Sequence, residues 1–359
     1  MENMAKYGAQ KKHFMEATFF PEHFLGRIVS QSKDIYKVAT EKGECLAEIS
    51  GKLRHEIQRI ADYPVVGDYV MLDRNSGDGG NLIIHGMLTR TSAFERRAAG
   101  TGNQSQVVAA NIDIVFICMS LNNDYNLSRL ERYLSVAWNS GAKVVIILTK
   151  SDLCENLSKV VGEISAIAVG TDVIVTSSHD RNSCKQVFKH LKKGLTASFI
   201  GSSGVGKSTL INCLAGRELM QTSGLRNDDR GRHTTTRREL IILPQGGIVI
   251  DTPGMRELGL ESANLKKSFS DIDDLAKGCR FSDCTHMNEP GCEVRKAIEK
   301  GELDERRFEN YKKLKKEAKY EGLNSKQIEE LKFNEMFGEF GGMKKARAYI
   351  RQNDKRRKR

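Results

Sequence analysis

Residues 201–208, GSSGVGKS, have the composition and spacing of a phosphate-binding loop. The segment matches the pattern G-x4-G-K-[ST], follows the apolar run TASFI and precedes the helical pattern STLINCLAG. Glycines let backbone N–H groups turn toward phosphates at the start of a helix, where Lys207 reaches the β- and γ-phosphates and Ser208 ligates Mg²⁺. The expected phosphate contacts are Gly201, Ser202, Ser203, Gly204, Val205, Gly206, Lys207, Ser208 and Thr209.

A second segment, GIVIDTPG, ends an apolar strand pattern in Asp251. An acidic residue in this place can hold the water shell of the magnesium ion, and the backbone N–H of Gly254 can bond the γ-phosphate. Between the two segments lies GRHTTTRREL, where a threonine hydroxyl can complete the magnesium shell and be released when the γ-phosphate leaves. We expect Thr235 in this role, with Thr234 as the alternative. The predicted magnesium set is Ser208, Thr234, Thr235 and Asp251.

The stretch TKSDL at 149–153 follows the buried strand pattern KVVIIL and predicts a base-recognition loop. Guanine presents two donors, N1–H and the N2 amino group, that the carboxylate of Asp152 can accept together, whereas adenine offers neither. Lys150 would lay its stem over the base. A second loop, TSS at 176–178, follows the strand pattern DVIV and can donate a backbone N–H to the guanine O6. The expected base contacts are Thr149, Lys150, Asp152, Ser177 and Ser178.

The order of these segments along the chain is unusual. The base-recognition loops precede the phosphate loop, which is followed by the threonine segment and by the aspartate at the end of a strand. The ends of a compact domain often lie close together, so a permuted chain can build the same three-dimensional site. The sequence therefore predicts a circularly permuted domain that binds a guanine nucleotide.

Three cysteines and one histidine crowd into fourteen residues with the spacing Cys279-x4-Cys284-x-His286-x5-Cys292. Thiolates and imidazoles are preferred ligands of Zn²⁺, and four of them leave no open coordination position. We therefore predict one structural zinc ion, against the alternative of ordinary buried cysteines. The remaining cysteines lie in strand, helix or loop patterns and are assigned to packing.

The elements that must position these residues fall into three regions. Residues 26–95 contain short alternating segments separated by turn signals, which favours a small antiparallel barrel of the OB type. From about residue 110, apolar runs alternate with amphipathic helical patterns, as in a mostly parallel sheet covered on both faces. From about residue 268 the pattern is mainly helical and includes the Cys/His cluster.

The net charge of +11 is concentrated at the C-terminal end, where residues 301–359 hold 18 Lys/Arg against 11 Asp/Glu. This balance suits a polyanion such as nucleic acid, although a solvated helix face with a frayed end gives the same composition. The longest apolar runs, VFICMSL and VVIILT, are shorter than the roughly 20 residues of a membrane span, and the N-terminus has no apolar signal core. We therefore expect a cytoplasmic protein without membrane contacts.

Taken together, the motifs resemble those of the circularly permuted GTPases of the RsgA (YjeQ) family, which depend on the small ribosomal subunit. The resemblance covers about residues 26–300 and rests on VVGDYV, LTRTSAFERR, ANIDIVFI, TKSDL, GSSGVGKSTLIN, GRHTTT, DTPGMRELGL and CRFSDCTHMNEPGCEV. It implies an OB domain, a permuted GTPase domain and a zinc domain, with GTP and GDP as ligands, the small subunit and its rRNA as partners, and a role late in subunit maturation. We expect a monomer with these divisions: a leader at 1–25, the barrel at 26–95, the GTPase domain at 96–267, the zinc segment at 268–300 and a basic helical tail at 301–359.

Two features depart from the family's pattern. Thr149 stands where such base-recognition motifs more often have Asn, so we expect the loss of one amide contact to the base and weaker discrimination in favour of guanine. The basic extension KARAYIRQNDKRRKR at the C-terminus is longer than the shared pattern explains.

Hydrolysis requires a group that orients the attacking water. Many GTPases use a glutamine after Asp-x-x-Gly, but Met255 stands there and has no suitable hydrogen-bonding group. His233, which matches the histidine of the family's GRHTTT segment, is the expected replacement, acting with Lys207 and Thr235 in a site that the ribosomal subunit orders. Two alternatives remain: an RNA-dependent ATPase, which Asp152 opposes, and an RNA-binding assembly factor that holds nucleotide without useful turnover.

Overall fold

The computed structural model describes residues 2–97, 105–219, 238–251, 265–319 and 327–332. The strands are β1 (Phe24–Ser32), β2 (Ile35–Thr40), β3 (Gly43–Ile49), β4 (Tyr69–Leu72), β5 (Leu82–Met87), β6 (Ala93–Arg97), β7 (Ser105–Ala110), β8 (Ile114–Ser120), β9 (Lys143–Thr149), β10 (Asp172–Val175), β11 (Thr196–Ile200), β12 (Arg238–Ile242) and β13 (Ile248–Asp251). The helices are α1 (Glu2–Lys6), α2 (Lys11–Ala17), α3 (Gly51–Glu56), α4 (Leu127–Asn139), α5 (Leu157–Ile167), α6 (Arg181–Lys185), α7 (Lys207–Ala215), α8 (Leu265–Ser268), α9 (Ser270–Lys277), α10 (Glu293–Glu299) and α11 (Glu305–Lys319).

The first five strands form the closed barrel that the sequence predicts. Their order is β1-β2-β3-β5-β4, and β1 also pairs with β4, which closes the ring. Strand β3 runs parallel to β5, whereas the other neighbours are antiparallel. Because successive side chains of a strand point to opposite faces, Ile28, Val38 and Leu82 turn inward and are fully buried in the core. The OB-like barrel is therefore confirmed.

The nucleotide-binding region is built on six further strands in the order β10-β9-β8-β11-β13-β12. All neighbours are parallel except β12, which is antiparallel to β13. Every residue of β8 and β11 is buried, because α4 and α5 pack on one face of the sheet and α6 and α7 on the other. The carboxyl ends of β8, β9, β10 and β11 meet at one edge, so the loops that follow them share one site. The predicted α/β architecture is confirmed.

The barrel and the nucleotide-binding sheet are joined by strand pairing. Strand β12 lies antiparallel to β1, with Ser30 opposite Glu239 and Gln31 opposite Arg238. Among the described residues, eleven strands consequently form one continuous hydrogen-bonded sheet, while β6 and β7 form a separate antiparallel pair. The alternating segments of the sequence predict the barrel but give no sign of this connection.

The N-terminal leader packs against the barrel and meets the nucleotide-binding region at Arg27. The side chain of Arg27 in β1 is almost fully buried, with a relative exposure of 1%. Its guanidinium donates hydrogen bonds to four acceptors, which are the carbonyl oxygens of Tyr7, Gly67 and Asn111 and Oγ1 of Thr196. Gly8 of the leader has φ +81°, and a Cβ atom there would lie 2.6 Å from Nη1 of Arg27. One buried cation therefore ties together the leader, the barrel and the nucleotide-binding region.

Helices α8 to α11 form a small module with its own apolar core, which includes Phe269, Val294 and Phe308. The module contacts α4 through Glu131, whose side chain is 1% exposed. Oε1 of Glu131 accepts a 2.8 Å hydrogen bond from Nη1 of Arg307, and its other oxygen accepts one from the side chain of Asn310. Residues of the predicted zinc segment and of the predicted tail therefore pack in one unit against the nucleotide-binding region.

We predict that Arg27→Lys destabilises the folded chain by roughly 2–4 kcal/mol, because one ammonium group does not span four separated acceptors and leaves some of them buried without a donor. The measurement is the free energy of unfolding in urea. Arg59→Lys is the matched control, since the Arg59 side chain is 77% exposed and pairs with Asp62 at the surface. Equal stabilities of the two variants would contradict the role assigned to Arg27.

Candidate functional site

The predicted phosphate loop lies between β11 and α7, at the edge of the sheet where the carboxyl ends of the strands meet. Gly201 begins the loop at φ +147°, and a Cβ atom at this position would lie 2.4 Å from the carbonyl oxygen of Cys118. Only glycine fits so close to the neighbouring strand β8. Helix α7 starts at Lys207, so the backbone N–H groups of its first turn face the loop. The loop lies between a strand and a helix, as the sequence predicts, and its contacts to phosphates stay predictions.

The side chain of Lys207 lies along the loop rather than in solvent. Its Nζ donates to the carbonyl oxygens of Gly201 and Ser202, at 2.7 and 2.6 Å. Of the other predicted phosphate contacts, Ser203, Gly204 and Thr209 are exposed, and Ser208 is partly exposed in the first turn of α7. The ammonium group of Lys207 therefore lies against a loop that has exposed residues.

The two predicted base-recognition loops lie side by side because they follow the neighbouring parallel strands β9 and β10. The backbone N–H of Ser151 donates to the carbonyl oxygen of Thr176 at 3.2 Å. Oδ1 of Asp152 accepts a hydrogen bond from Oγ of Ser177, and this bond, with smaller contributions from His179 and Lys150, holds the pKa of Asp152 below its usual value. The carboxylate is therefore ionised and is oriented by the second base-recognition loop.

A cleft lies between the base-recognition loops and the phosphate loop. It is lined by Thr149, Lys150, Thr176, Ser177 and Ser178 from the base-recognition loops, by Val205 and Gly206 from the phosphate loop, by Thr209 and Leu210 of α7, and by Cys184. Segments that are about fifty residues apart in the sequence are thus brought to one cavity.

Thr149 has a role that its position in the base-recognition motif does not reveal. Its side chain is 5% exposed, and Oγ1 donates a 2.6 Å hydrogen bond to the carbonyl oxygen of Val205 in the phosphate loop. From the sequence we expected only the loss of an amide contact to the base. The hydroxyl instead joins the base-recognition loop to the phosphate loop, and a threonine at this position gives no sequence signal for that contact.

The magnesium side of the site is described only in part. Asp251 ends β13, next to the phosphate-loop strand β11, and is partly exposed. His233, Thr234, Thr235 and Gly254 lie outside the described residues, as does Met255. The roles of these residues therefore stay predictions.

The four predicted zinc ligands come together in the helical module. The sulfur and nitrogen atoms of Cys279, Cys284, His286 and Cys292 all lie within 4.8 Å of one another. The Sγ atoms of Cys279 and Cys292 are 3.9 Å apart. Two sulfurs at 2.3 Å from a tetrahedral ion are separated by about 3.8 Å, so the donor atoms fit a zinc ion.

Glu289 shapes the loop that carries these ligands and was not found from the sequence. Its carboxylate accepts hydrogen bonds from the backbone N–H groups of Thr285, Met287 and Asn288, and from the hydroxyl of Thr285. These bonds lower the pKa of Glu289 to about 2, with the Thr285 hydroxyl as the largest cause. The carboxylate closes the turn around His286, which has φ +61°.

The chain is similar to known proteins over most of its length. A family described as RsgA GTPase matches residues 87–261. The small ribosomal subunit biogenesis GTPase RsgA 2 of Lactiplantibacillus plantarum is 44% identical over 346 residues, which cover 96% of this chain and 97% of the relative. The small ribosomal subunit biogenesis GTPase RsgA of Methanosarcina acetivorans is 40% identical, over 88% of this chain and 86% of the relative.

Two solved structures share the fold. The crystal structure of YjeQ from Thermotoga maritima gives a TM-score of 0.59 at 28% identity and covers 82% of this chain and 98% of that chain. The crystal structure of YloQ, described as a circularly permuted GTPase, gives a TM-score of 0.57 at 24% identity and covers 83% of this chain and 95% of that chain. The predicted permuted GTPase fold is therefore confirmed.

We predict that Thr149→Val loosens the contact between the two loops, because the carbonyl oxygen of Val205 loses its hydroxyl donor at a cost of roughly 1 kcal/mol. Amide hydrogen exchange in residues 201–210 is expected to accelerate. Thr149→Ser is the matched control, since it keeps the hydroxyl and should exchange at the wild-type rate. Equal exchange rates in the valine and serine variants would contradict the role assigned to this hydrogen bond.

Proposed function

The chain belongs to the RsgA GTPase family, and from that premise we propose that it hydrolyses GTP to GDP and phosphate on the small ribosomal subunit, late in the maturation of that subunit. The observation that carries the proposal is the cleft that Thr149, Lys150 and residues 176–178 line together with Val205 and Gly206 of the phosphate loop, with Asp152 hydrogen-bonded to Ser177 beside it. One side of this cleft is chemically suited to guanine, and the other is suited to phosphates. The subunit supplies the stimulation, so turnover without it is slow.

In the proposed complex, Asp152 selects guanine. Its ionised carboxylate accepts from N1–H and N2 of the base, whereas adenine would leave the carboxylate facing an acceptor. The aliphatic stem of Lys150 covers the base, and a backbone N–H of the loop at Ser177 and Ser178 donates to O6. The hydrogen bond from Ser177 already orients the carboxylate, which reduces the reorganisation that binding requires.

The phosphates are proposed to lie on the loop and on the first turn of α7. Lys207 would exchange its two carbonyl partners for the β- and γ-phosphates. Ser208 and Asp251 would hold a magnesium ion together with Thr235 or Thr234, and the ion would neutralise charge that develops on the phosphates. Gly254 would bond the γ-phosphate through its backbone N–H.

Water positioning is assigned to His233. Met255 follows the Asp-x-x-Gly segment and offers no group that orients water, so another side chain must do so. We propose that the ribosomal subunit orders the threonine segment and brings the imidazole of His233 toward the γ-phosphate. Binding of nucleotide then does not require His233, whereas stimulated hydrolysis does.

The proposed polyanionic partner is the rRNA of the small subunit. The net charge of +11 and the basic composition of residues 301–359 support this assignment. In the part of the chain that the structure describes, no helix is long and apolar enough to cross a membrane. We propose that the protein acts as a cytoplasmic monomer with the leader, barrel and GTPase divisions given above, and that the predicted zinc segment and the start of the predicted tail form one helical module.

A structural zinc ion is proposed at the Cys279, Cys284, His286 and Cys292 cluster. The fit of the donor atoms supports the assignment, and a set of three thiolates and one imidazole is filled by the protein alone. The ion would add folding free energy to a module with a small core. Its contribution is to hold the loop at 279–292 against α10 and α11, with no part in hydrolysis.

The proposed function is tested by phosphate release from GTP and from ATP, each with and without purified small ribosomal subunits. We expect slow release from GTP alone, strong acceleration by subunits and little release from ATP. Release from ATP that RNA accelerates would favour an RNA-dependent ATPase instead. Tight GTP binding without accelerated release would favour an assembly factor that does not turn over.

His233→Ala and Lys207→Ala separate the steps within the same assay. The histidine variant is expected to bind nucleotide and subunits normally but to lose most of the stimulated rate. The lysine variant is expected to weaken nucleotide binding as well, because it removes the cation from the phosphate loop. Full stimulation of His233→Ala would assign water positioning to a group of the ribosome or to the backbone.

The zinc assignment is tested by Cys284→Ala, which should release the metal and unfold residues around 279–292 while leaving GTP binding mostly intact. Metal content is measured on the purified chain, and local unfolding by hydrogen exchange. Cys45→Ala is the matched control, since Cys45 is partly buried in the barrel and far in sequence from the cluster. One zinc ion per chain retained by Cys284→Ala would refute the assignment.

A further inference from the structure

The phosphate loop has a partner that neither the motifs nor the predicted contacts include. The loop at 121–126 follows β8, and β8 lies parallel to β11, the strand that leads into the phosphate loop. The ends of the two strands therefore place the two loops side by side. Oγ of Ser202 donates a 2.7 Å hydrogen bond to Oδ2 of Asp124 in the neighbouring loop.

The carboxylate of Asp124 is itself held from the other side. Nη2 of Arg129, in the first turn of α4, donates to Oδ1 of Asp124 at 2.7 Å and to its carbonyl oxygen. The backbone N–H of Arg129 also donates to the side chain of Asn126, which caps α4. Oδ1 of Asn122 accepts from the backbone N–H of Asp124 at 3.2 Å. Each carboxylate oxygen of Asp124 thus accepts a hydrogen bond, one from Ser202 in the phosphate loop and one from Arg129 in α4.

The charge balance favours an ionised carboxylate in this place. Burial acts to raise the pKa of Asp124, but the hydrogen bonds from Ser202 and Arg129, with the positive charges of Arg129 and Lys150, hold it below its usual value. The side chains of Asp124 and Arg129 are 41% and 30% exposed, so the pair is screened only in part.

We propose that Asp124, which Arg129 holds, is a positioning residue of the GTPase and fixes the start of the phosphate loop through Ser202 before the nucleotide binds. The hydroxyl of Ser202 is used by Asp124, so this residue offers the nucleotide its backbone N–H and not its side chain. Gly201 lies close to the backbone of β8 at Cys118, and the carbonyl oxygen of Val205 accepts the hydrogen bond from Thr149. The hydrogen bond from Ser202 to Asp124 adds a further contact, so the loop is preorganised before the nucleotide binds. Preorganisation lowers the entropic cost of binding phosphates.

The inference rests on the guanine-nucleotide binding proposed above, and the experiment separates the two. The zinc-loaded, full-length protein is titrated with fluorescent GDP and with a non-hydrolysable GTP analogue, and steady-state GTP hydrolysis is measured in parallel. The variants are Asp124→Ala, Ser202→Ala and the double variant. Asp172→Ala is the matched control. It removes an exposed carboxylate that pairs with Lys143 at 2.8 Å where β9 and β10 begin, whereas the base-recognition loops follow the other ends of these strands.

We expect each single variant to weaken the affinity for both nucleotides by about three- to tenfold, and the double variant to weaken it no further, because both changes remove the same hydrogen bond. KM should rise while kcat stays within about twofold, since this hydrogen bond does not touch the reacting atoms. The control should bind as the wild type does. Additive losses, or affinities equal to the control, would overturn the inference, whereas a wild-type protein that binds no guanine nucleotide would overturn the proposed function.

Discussion

A single guanidinium, that of Arg27, is buried where the leader, the barrel and the nucleotide-binding region meet. A buried cation is tolerated only when its donors are used, so the four acceptors around it must keep their relative positions. Arginine suits this place because its planar fork directs N–H groups to separate points, and its face lies over the Tyr69 ring at 4.8 Å from the centroid. The hydrogen bonds of this one group therefore constrain the relative placement of the three parts.

The pairing of β1 with β12 depends on that placement and has a consequence for the nucleotide site. Strand β12 follows the threonine segment along the chain and lies beside β13, which ends in Asp251. The barrel is therefore hydrogen-bonded to the strand that connects two elements of the proposed magnesium site. Helix α4 carries Arg129, which binds Asp124 beside the phosphate loop, and Glu131, which binds the helical module. Both accessory parts are thus attached to elements that contact a strand or a loop of the proposed nucleotide site.

Much of the site was predictable because its chemistry is local in sequence. The phosphate loop is a short glycine-rich segment between a strand and a helix, and the metal cluster places three thiolates and one imidazole within fourteen residues. Each pattern specifies its own local geometry. The alternation of apolar residues likewise predicted the barrel and the parallel sheet. The contacts of Asp124, Thr149 and Glu289 were not predictable in this way. A polar side chain in a loop or at the end of a strand can reach many partners, and no periodic pattern in the sequence indicates which partner it binds.

The sequence by itself determined the class of each part and the chemistry of the cleft, because those depend on residue types at short spacing and on strand and helix periods. Only the tertiary structure decided how the parts are joined. The burial of Arg27, the pairing of Ser30 with Glu239 and the hydrogen bond from Ser202 to Asp124 link residues that are far apart along the chain. Such contacts are fixed by the packing of whole elements, since each group finds its partner only after the strands that carry them lie side by side.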